Sequence, residues 1–151
     1  MELTRSLTST VYVVYNDQVL LHMHKKFKSL FPVGGHLLSH ELPEEAAIRE
    51  VYEEAGLQIK LYNNQKDLGM TRVKQLNNPQ YTLLENIGKE VENIDFIYFA
   101  KTDCNKTMPL KGESKDLVWL TREEILSDCT IKEHIKVMAL EALNVLGNKK
   151  E

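Results

Sequence analysis

Three features are scarce in this chain, and each scarcity argues against a class of protein. The two cysteines, Cys104 and Cys129, are too few for a disulfide framework, and their spacing matches no metal-binding pattern. No apolar run approaches the roughly 20 residues that a membrane-spanning helix needs. Excess positive charge is also missing: the formal net charge is −3 and the isoelectric point is about 6.0. We therefore expect neither a membrane nor long nucleic acid as a partner.

What the chain does contain is typical of one soluble globular domain, residues 1–151. It is 42% hydrophobic and 27% charged, and its 151 residues are enough to bury a core. The first residues lack the basic and then apolar order of a secretion signal. We expect a cytoplasmic protein that is a monomer or a homodimer.

Hydrophobic patterning predicts several strands and two main helices. The predicted strands cover 8–15, 19–23, 30–33, 58–62, 68–73, 81–87, 94–101 and 116–120. One helix ends at Ala55 and a second runs from Ile131 to Leu146, while Thr121 and Glu124 form a capping box before it. This order predicts an α/β fold with a mixed sheet between helices.

The chemistry is concentrated between Gly35 and Leu57. Gly34 and Gly35 form a predicted loop whose backbone can approach a ligand closely. Pro43 suits the first turn of a helix, and Gly56 is a natural residue to end it. At about 100° per residue, one face of this helix is apolar, formed by Ala47, Ile48, Val51, Tyr52 and Ala55.

Three carboxylates lie on the other side of the same helix. Glu50, Glu53 and Glu54 are three or four residues apart, so their side chains are neighbours and repel by roughly 0.2–0.5 kcal/mol per pair. A hard divalent cation would gain from such a cluster. Arg49 lies beside the cluster and can pair with Glu45, Glu53 or, through the loop, with Glu41.

This pattern resembles the Nudix hydrolase signature and matches it at every fixed position: Gly35, Glu41 and the run from Arg49 to Leu57. The resemblance implies an α/β/α sandwich and hydrolysis of a nucleoside diphosphate linked to another moiety, with water attacking phosphorus. The substrate is then a small nucleotide. The chain departs from the family at Leu38 and His40, where Glu and Gly are frequent; both changes lie in the loop and neither lies on the metal-bearing helix.

The resemblance also assigns roles to individual residues. It implies Mg²⁺ or Mn²⁺ held mainly by Glu50 and Glu54, with Glu53 as a further ligand or a base. The Gly34 carbonyl is implied as a possible metal contact, and Glu41 is implied to pair with Arg49. These two residues and Glu53 are therefore candidate catalytic residues.

A general base can also come from downstream of the motif helix. Carboxylates close to a cation are weak bases, so a more remote group keeps a more suitable pKa. Glu92 is the first candidate and Asp95 the second, because they lie where a strong strand signal begins. Glu53 is the alternative if neither acts. The other candidates in this part of the chain are Glu85, Glu90 and Glu113.

A second class of function has to be weighed against hydrolysis. A domain of the same fold can sense nucleotides or bind a partner without turnover. Such a domain usually loses Arg49 or one of the three helix glutamates, and all four are present here. The motif therefore favours a hydrolase. Aromatic residues that can stack on a base are Tyr81, Phe96, Tyr98 and Trp119.

Overall fold

A mixed β-sheet with helices on both faces makes up the computed structural model, which describes residues 2–110 and 116–148. Its described strands are β1 (Thr4–Tyr15), β2 (Gln18–His24), β3 (Ser29–Phe31), β4 (Val33–His36), β5 (Lys60–Leu61), β6 (Tyr81–Gly88), β7 (Val91–Lys101) and β8 (Leu117–Thr121). Its described helices are α1 (Pro43–Ala55), α2 (Arg122–Ser127) and α3 (Glu133–Leu146). The predicted arrangement of a mixed sheet between helices is confirmed.

A parallel pair of long strands forms the centre of the sheet. β1 and β7 run side by side, from the Thr4–Val91 pair to the Val14–Lys101 pair. Their neighbours are antiparallel: β2 and β4 pair with β1, β5 and β6 pair with β7, and β3 and β8 pair with β2. β4 lies beside the middle of β1, from Thr8 to Val11, and the loop that follows it leads into α1.

Alternation along β1 assigns each side chain to one helical layer. Val11 and Val13 belong to the core on the α1 side, with Val51 and Ala55 of that helix. Tyr12 and Val14 belong to the opposite core, packed against α3. The sheet is therefore covered on both faces, and a single residue step along β1 changes which helix a side chain meets.

The structure differs from the predicted elements at several places. β1 begins at Thr4 rather than at residue 8, and a short helix, α2, follows the capping box at Thr121 and Glu124. Residues 68–73 are not a strand, because the Gln75 side chain bonds the backbone at Lys66 and Leu68 in place of a ladder. A predicted strand over 30–33 is split at Pro32, which has no N–H to donate.

The apolar face of α1 also differs from the helical-wheel prediction. Val51 and Ala55 are buried as expected, together with Ala46 and Ala47. Ile48 and Tyr52, however, are 45% and 47% exposed, because the helix turns the side bearing Glu54 toward the sheet instead. The predicted ends are confirmed: Pro43 opens the helix, and Gly56 closes it with φ of 70°. No described helix is long and apolar enough to cross a membrane.

Candidate active site

Glu50 lies directly against the glycine strand, which is β4 with its two glycines. Gly34 and Gly35 were predicted to form a loop, but they pair with Thr10 and Ser9 as part of the sheet, and neither has a positive φ. A Cβ built on Gly35 would lie 2.5 Å from the carboxyl carbon of Glu50. The glycine is therefore required by the approach of α1, and it brings this carboxylate onto the backbone.

Glu54 is held at the outer edge of the same strand. It is only 4% exposed, and its Oε2 accepts a hydrogen bond of 3.1 Å from the Gly34 N–H. Because the Gly34 N–H is directed to Glu54 rather than to Thr10, the alternation of an antiparallel ladder turns the Gly34 carbonyl to that edge as well. A buried carboxylate and a backbone oxygen thus share one side of β4.

Arg49 joins the loop, the strand and the helix. Its Nε and Nη2 donate to both oxygens of Glu41, at 2.7 and 2.9 Å, so the predicted pair is present as a bidentate contact. Nη1 donates to Glu50 and Glu53, and Nη2 also donates to the His36 carbonyl. Arg49 lowers the pKa of Glu41 by this hydrogen bonding, which outweighs the cost of desolvation.

The loop between β4 and α1 is closed by the same glutamate. Glu41 Oε1 accepts from the Leu38 N–H at 2.9 Å, so one side chain ties the loop to Arg49. His40, which stands where the family often has Gly, has φ of 67° in the left-handed region. A residue with a Cβ is strained there by roughly 1–2 kcal/mol. The loop therefore needs a left-handed backbone conformation at this position, although the residue there is His40 and not glycine.

The donor set at β4 fits a hard divalent cation. Carboxylate and backbone oxygens are the ligands that Mg²⁺ and Mn²⁺ favour, and two carboxylates with several waters satisfy Mg²⁺. Within residues 2–110 and 116–148, no three His, Cys, Asp or Glu side chains already form a metal cluster. Glu53 does not complete such a cluster with Glu50 and Glu54, because its side chain is 38% exposed and is bonded to Arg49. The groups that fit a divalent cation are therefore Glu50, Glu54 and the Gly34 carbonyl.

The downstream carboxylates are placed in different surroundings. Glu92 forms an ion pair of 2.6 Å with Arg5, its register partner on β1. Arg5 is four residues before Ser9, which pairs with Gly35, so Glu92 lies about 13 Å from Gly35 along the direction of β1, at about 3.3 Å per residue. Asp95 points to the α3 side of the sheet, away from α1. Glu113 lies outside the described residues.

The aromatic residues that were candidates for stacking on a base mainly contact other parts of the fold. Phe96 and Tyr98 pack in or against the core on the α1 side. Trp119 lies against Tyr15 and donates its indole N–H to the Asn105 carbonyl. The Tyr81 hydroxyl donates to Glu141. The polar aromatic that sequence reasoning missed is Tyr12, since its position in an apolar strand gave no sign that its hydroxyl would face a cleft.

Comparisons with known proteins agree with this architecture. The family model described as "NUDIX domain" matches residues 5–140. A solved NUDIX family hydrolase from Clostridium perfringens is 45% identical, with a TM-score of 0.86 over 95% of this chain and 99% of that one. A NUDIX hydrolase from Nitrosomonas europaea and a UDP-X diphosphatase are each 15% identical, with TM-scores of 0.65 and 0.66. The former match covers 94% of this chain and 90% of that chain; the latter covers 96% and 66%.

The two matches at 15% identity show the fold alone. The family model and the hydrolase from Clostridium perfringens also show the family to which the chain belongs. No match was found among curated proteins. Fold and site together define the class of protein, an enzyme acting on phosphorus-containing acid anhydrides. The chain belongs to the Nudix hydrolase family, whose members generally need a divalent metal ion.

Proposed function

We propose that this Nudix hydrolase uses Mg²⁺ or Mn²⁺ to cleave a phosphoanhydride bond in a nucleoside diphosphate linked to another moiety. The observation that supports it most strongly is the position of Glu50 and Glu54, which meet the backbone of Gly35 and Gly34. Both carboxylates belong to α1, which packs on the sheet through Val51 and Ala55. A cytoplasmic location and a monomeric or homodimeric state remain predictions.

Glu50, Glu54 and the Gly34 carbonyl would hold the metal, with Glu53 as a further ligand or a base. Bound there, the cation would neutralise phosphate oxygens and lower the pKa of an attacking water. Among the described contacts, Arg49 engages Oε1 of Glu50, which leaves Oε2 for coordination. The role of Arg49 and Glu41 is to position the loop and the helix glutamates rather than to contact phosphorus.

Glu92 remains the proposed general base, and its ion pair with Arg5 adds a requirement to this proposal. A carboxylate paired with a cation must be released, or its segment must move, before it can reach a water near β4. Glu53 is also paired with a cation, Arg49, but it lies on α1 with Glu50 and Glu54, so no segment of the chain has to move. Glu92→Gln and Glu53→Gln, compared in kcat at saturating metal, separate the two. The true base should cost roughly 10²–10⁴ in kcat.

The proposed activity is tested by screening nucleoside diphosphate conjugates and nucleoside triphosphates for phosphate or pyrophosphate release. We expect turnover with Mg²⁺ or Mn²⁺ and none with EDTA. Glu54→Gln should remove most of the turnover while the protein stays folded by circular dichroism. A wild-type protein that binds nucleotides but hydrolyses none of them would instead support the sensing or partner-binding alternative.

A further inference from the structure

β6 is the longest outer strand of the described sheet. Five described strands have a hydrogen-bonded neighbour on one side only, and they are β3, β4, β5, β6 and β8. β6 has eight residues, whereas the other four have between two and five. One row of its N–H and C=O groups therefore faces away from β7, over about 27 Å at about 3.4 Å per residue.

The sequence of β6 lacks the features that keep an outer strand from pairing with another chain. Such strands are usually short, or they carry lysine, proline or a bulge. Between Tyr81 and Gly88 the one charged residue is Glu85, and there is neither lysine nor proline. The bulge lies at the far end of the strand, between Asn86 and Gly88. Residues 81–86 therefore pair regularly with β7 and leave a regular edge for a partner strand.

Apolar side chains are exposed beside this edge. Leu84 is 63% exposed and Ile87 is 52% exposed. Leu84 is opposite Ile94, the neighbour of Asp95 on β7, so it lies on the α1 side of the sheet. A hollow of about 340 Å³ adjoins Leu84, and its lining residues are Arg5, Thr82, Leu83, Leu84 and Ile94. An apolar side chain from a partner strand therefore has room next to Leu84.

The pattern of β6 is complementary to itself in one antiparallel register. Residues directly opposite each other share a face of the sheet, so a two-fold axis normal to the sheet has to pass through a residue of β6. With Leu84 on the axis, residues 82–86 pair over their whole length, and Leu83 lies opposite Glu85 of the second copy. With Glu85 on the axis, two carboxylates would be directly opposed, which destabilises a strand pair. Leu84 is therefore the favoured centre.

We propose that β6 pairs with β6 of a second copy of this chain, which gives a homodimer with one continuous sheet and Leu84 at its two-fold axis. Pairing of residues 82–86 supplies about six main-chain hydrogen bonds, within the roughly 10 ± 5 of a typical interface. The two Leu84 side chains form its apolar centre. One contact satisfies the outer edges of both copies, as closed two-fold symmetry requires. The dimer does not depend on the proposed hydrolysis.

Sedimentation velocity of the full chain at increasing protein concentration tests this proposal. We expect the mass to rise from 17.4 kDa toward twice that value. Leu84→Lys should weaken the dimer by about tenfold or more, because it removes the apolar centre and places two ammonium groups opposite each other. Leu126→Lys is the matched control, since Leu126 is 56% exposed on α2, and it should leave the dimer unchanged.

A mixture of Leu84→Lys and Leu84→Glu tests the register itself. Because Leu84 is exposed, both variants should fold, which circular dichroism would check. Each variant alone should be mainly monomeric, whereas equal amounts of both should restore the dimer, because residue 84 then faces an opposite charge. Three results would overturn the proposal: a wild-type mass of 17.4 kDa at every concentration, a dimer that Leu84→Lys leaves intact, or a mixture no more associated than the separate variants.

Discussion

The two faces of the sheet carry carboxylates in opposite environments. On the α1 side, Glu50 and Glu54 receive hydrogen bonds from the guanidinium of Arg49 and the N–H of Gly34. On the α3 side, Asp95 is buried beside another carboxyl, which raises its pKa to about 8. The same functional group thus meets a guanidinium and a backbone N–H in one place, and two threonine hydroxyls and an acidic neighbour in the other. The first arrangement suits a cation, whereas the second favours a protonated carboxyl at neutral pH.

The largest expected effect on activity comes from adding a side chain at Gly35, where Glu50 contacts the glycine strand. In Gly35→Ala the new Cβ would meet the carboxyl of Glu50 at 2.5 Å. This end of a flexible side chain can move away, so we expect little loss of stability. A carboxylate displaced by about 1 Å should cost roughly 100-fold in kcat. Steady-state kinetics with the melting temperature of the same variant would measure both.

Gly34→Ala is the matched comparison, and its main effect should be a loss of stability. Its Cβ would lie 2.3 Å from the Ser9 carbonyl, which is backbone inside the sheet. Overpacking of this kind costs about 1–3 kcal/mol, or about 2–4 °C of melting temperature for each kcal/mol in a chain of this size. If Gly35→Ala were the less stable of the two, the assignment of these contacts would be wrong.

Breaking the link between loop and helix should have the next largest effect. Arg49→Ala and Glu41→Ala each remove the bidentate contact, and each should lower stability and rate. Because the residues touch, the double variant should be less damaged than the sum of the singles, by a coupling of about 1 kcal/mol. Denaturant unfolding of the four proteins would measure the coupling. Full additivity would contradict a positioning role for this pair.

Asp95→Asn should remove a pH dependence that belongs to the α3 side alone. The folded protein holds a proton on Asp95 between its ordinary pKa of 3.8 and about 8, while the unfolded chain does not. This contribution to stability is complete at low pH and is lost as the pH rises through that window. Relative to wild type, Asp95→Asn should therefore gain at least about 3 °C in melting temperature from pH 4 to pH 8. A constant difference would show that Asp95 is ionised throughout.

The smallest expected effect concerns the loop that leads into α1. His40→Gly should relieve the positive φ at this residue, although the greater freedom of glycine in the unfolded chain offsets part of the gain. We expect a net stabilisation of about 0.5 kcal/mol. Ser39→Gly is the control, since Ser39 has no positive φ and should lose stability. Thermal melts of both variants would show whether the two changes have opposite signs.

The sequence predicted local features better than distant ones. Pro43 and Gly56 marked the ends of α1 because their backbone preferences act within one turn. The residues alone left Glu45, Glu53 and Glu41 as possible partners of Arg49, and only the family resemblance selected Glu41. The exposure of Ile48 and Tyr52 was not predictable, because the sheet decides which side of the helix is covered. Likewise, Tyr12 comes close to Glu85 and Asp95 only because β1 pairs with β7, a strand far away in the chain.

The most direct measurement of the central claim is a titration of Mn²⁺ into three proteins, followed by electron paramagnetic resonance. The account predicts that Glu54→Gln weakens Mn²⁺ binding by tenfold or more, since it removes a carboxylate at the glycine strand. It also predicts that Asp95→Asn binds Mn²⁺ as the wild type does, because Asp95 faces the other side of the sheet. Wild-type affinity in Glu54→Gln, or an equal loss in both variants, would contradict it.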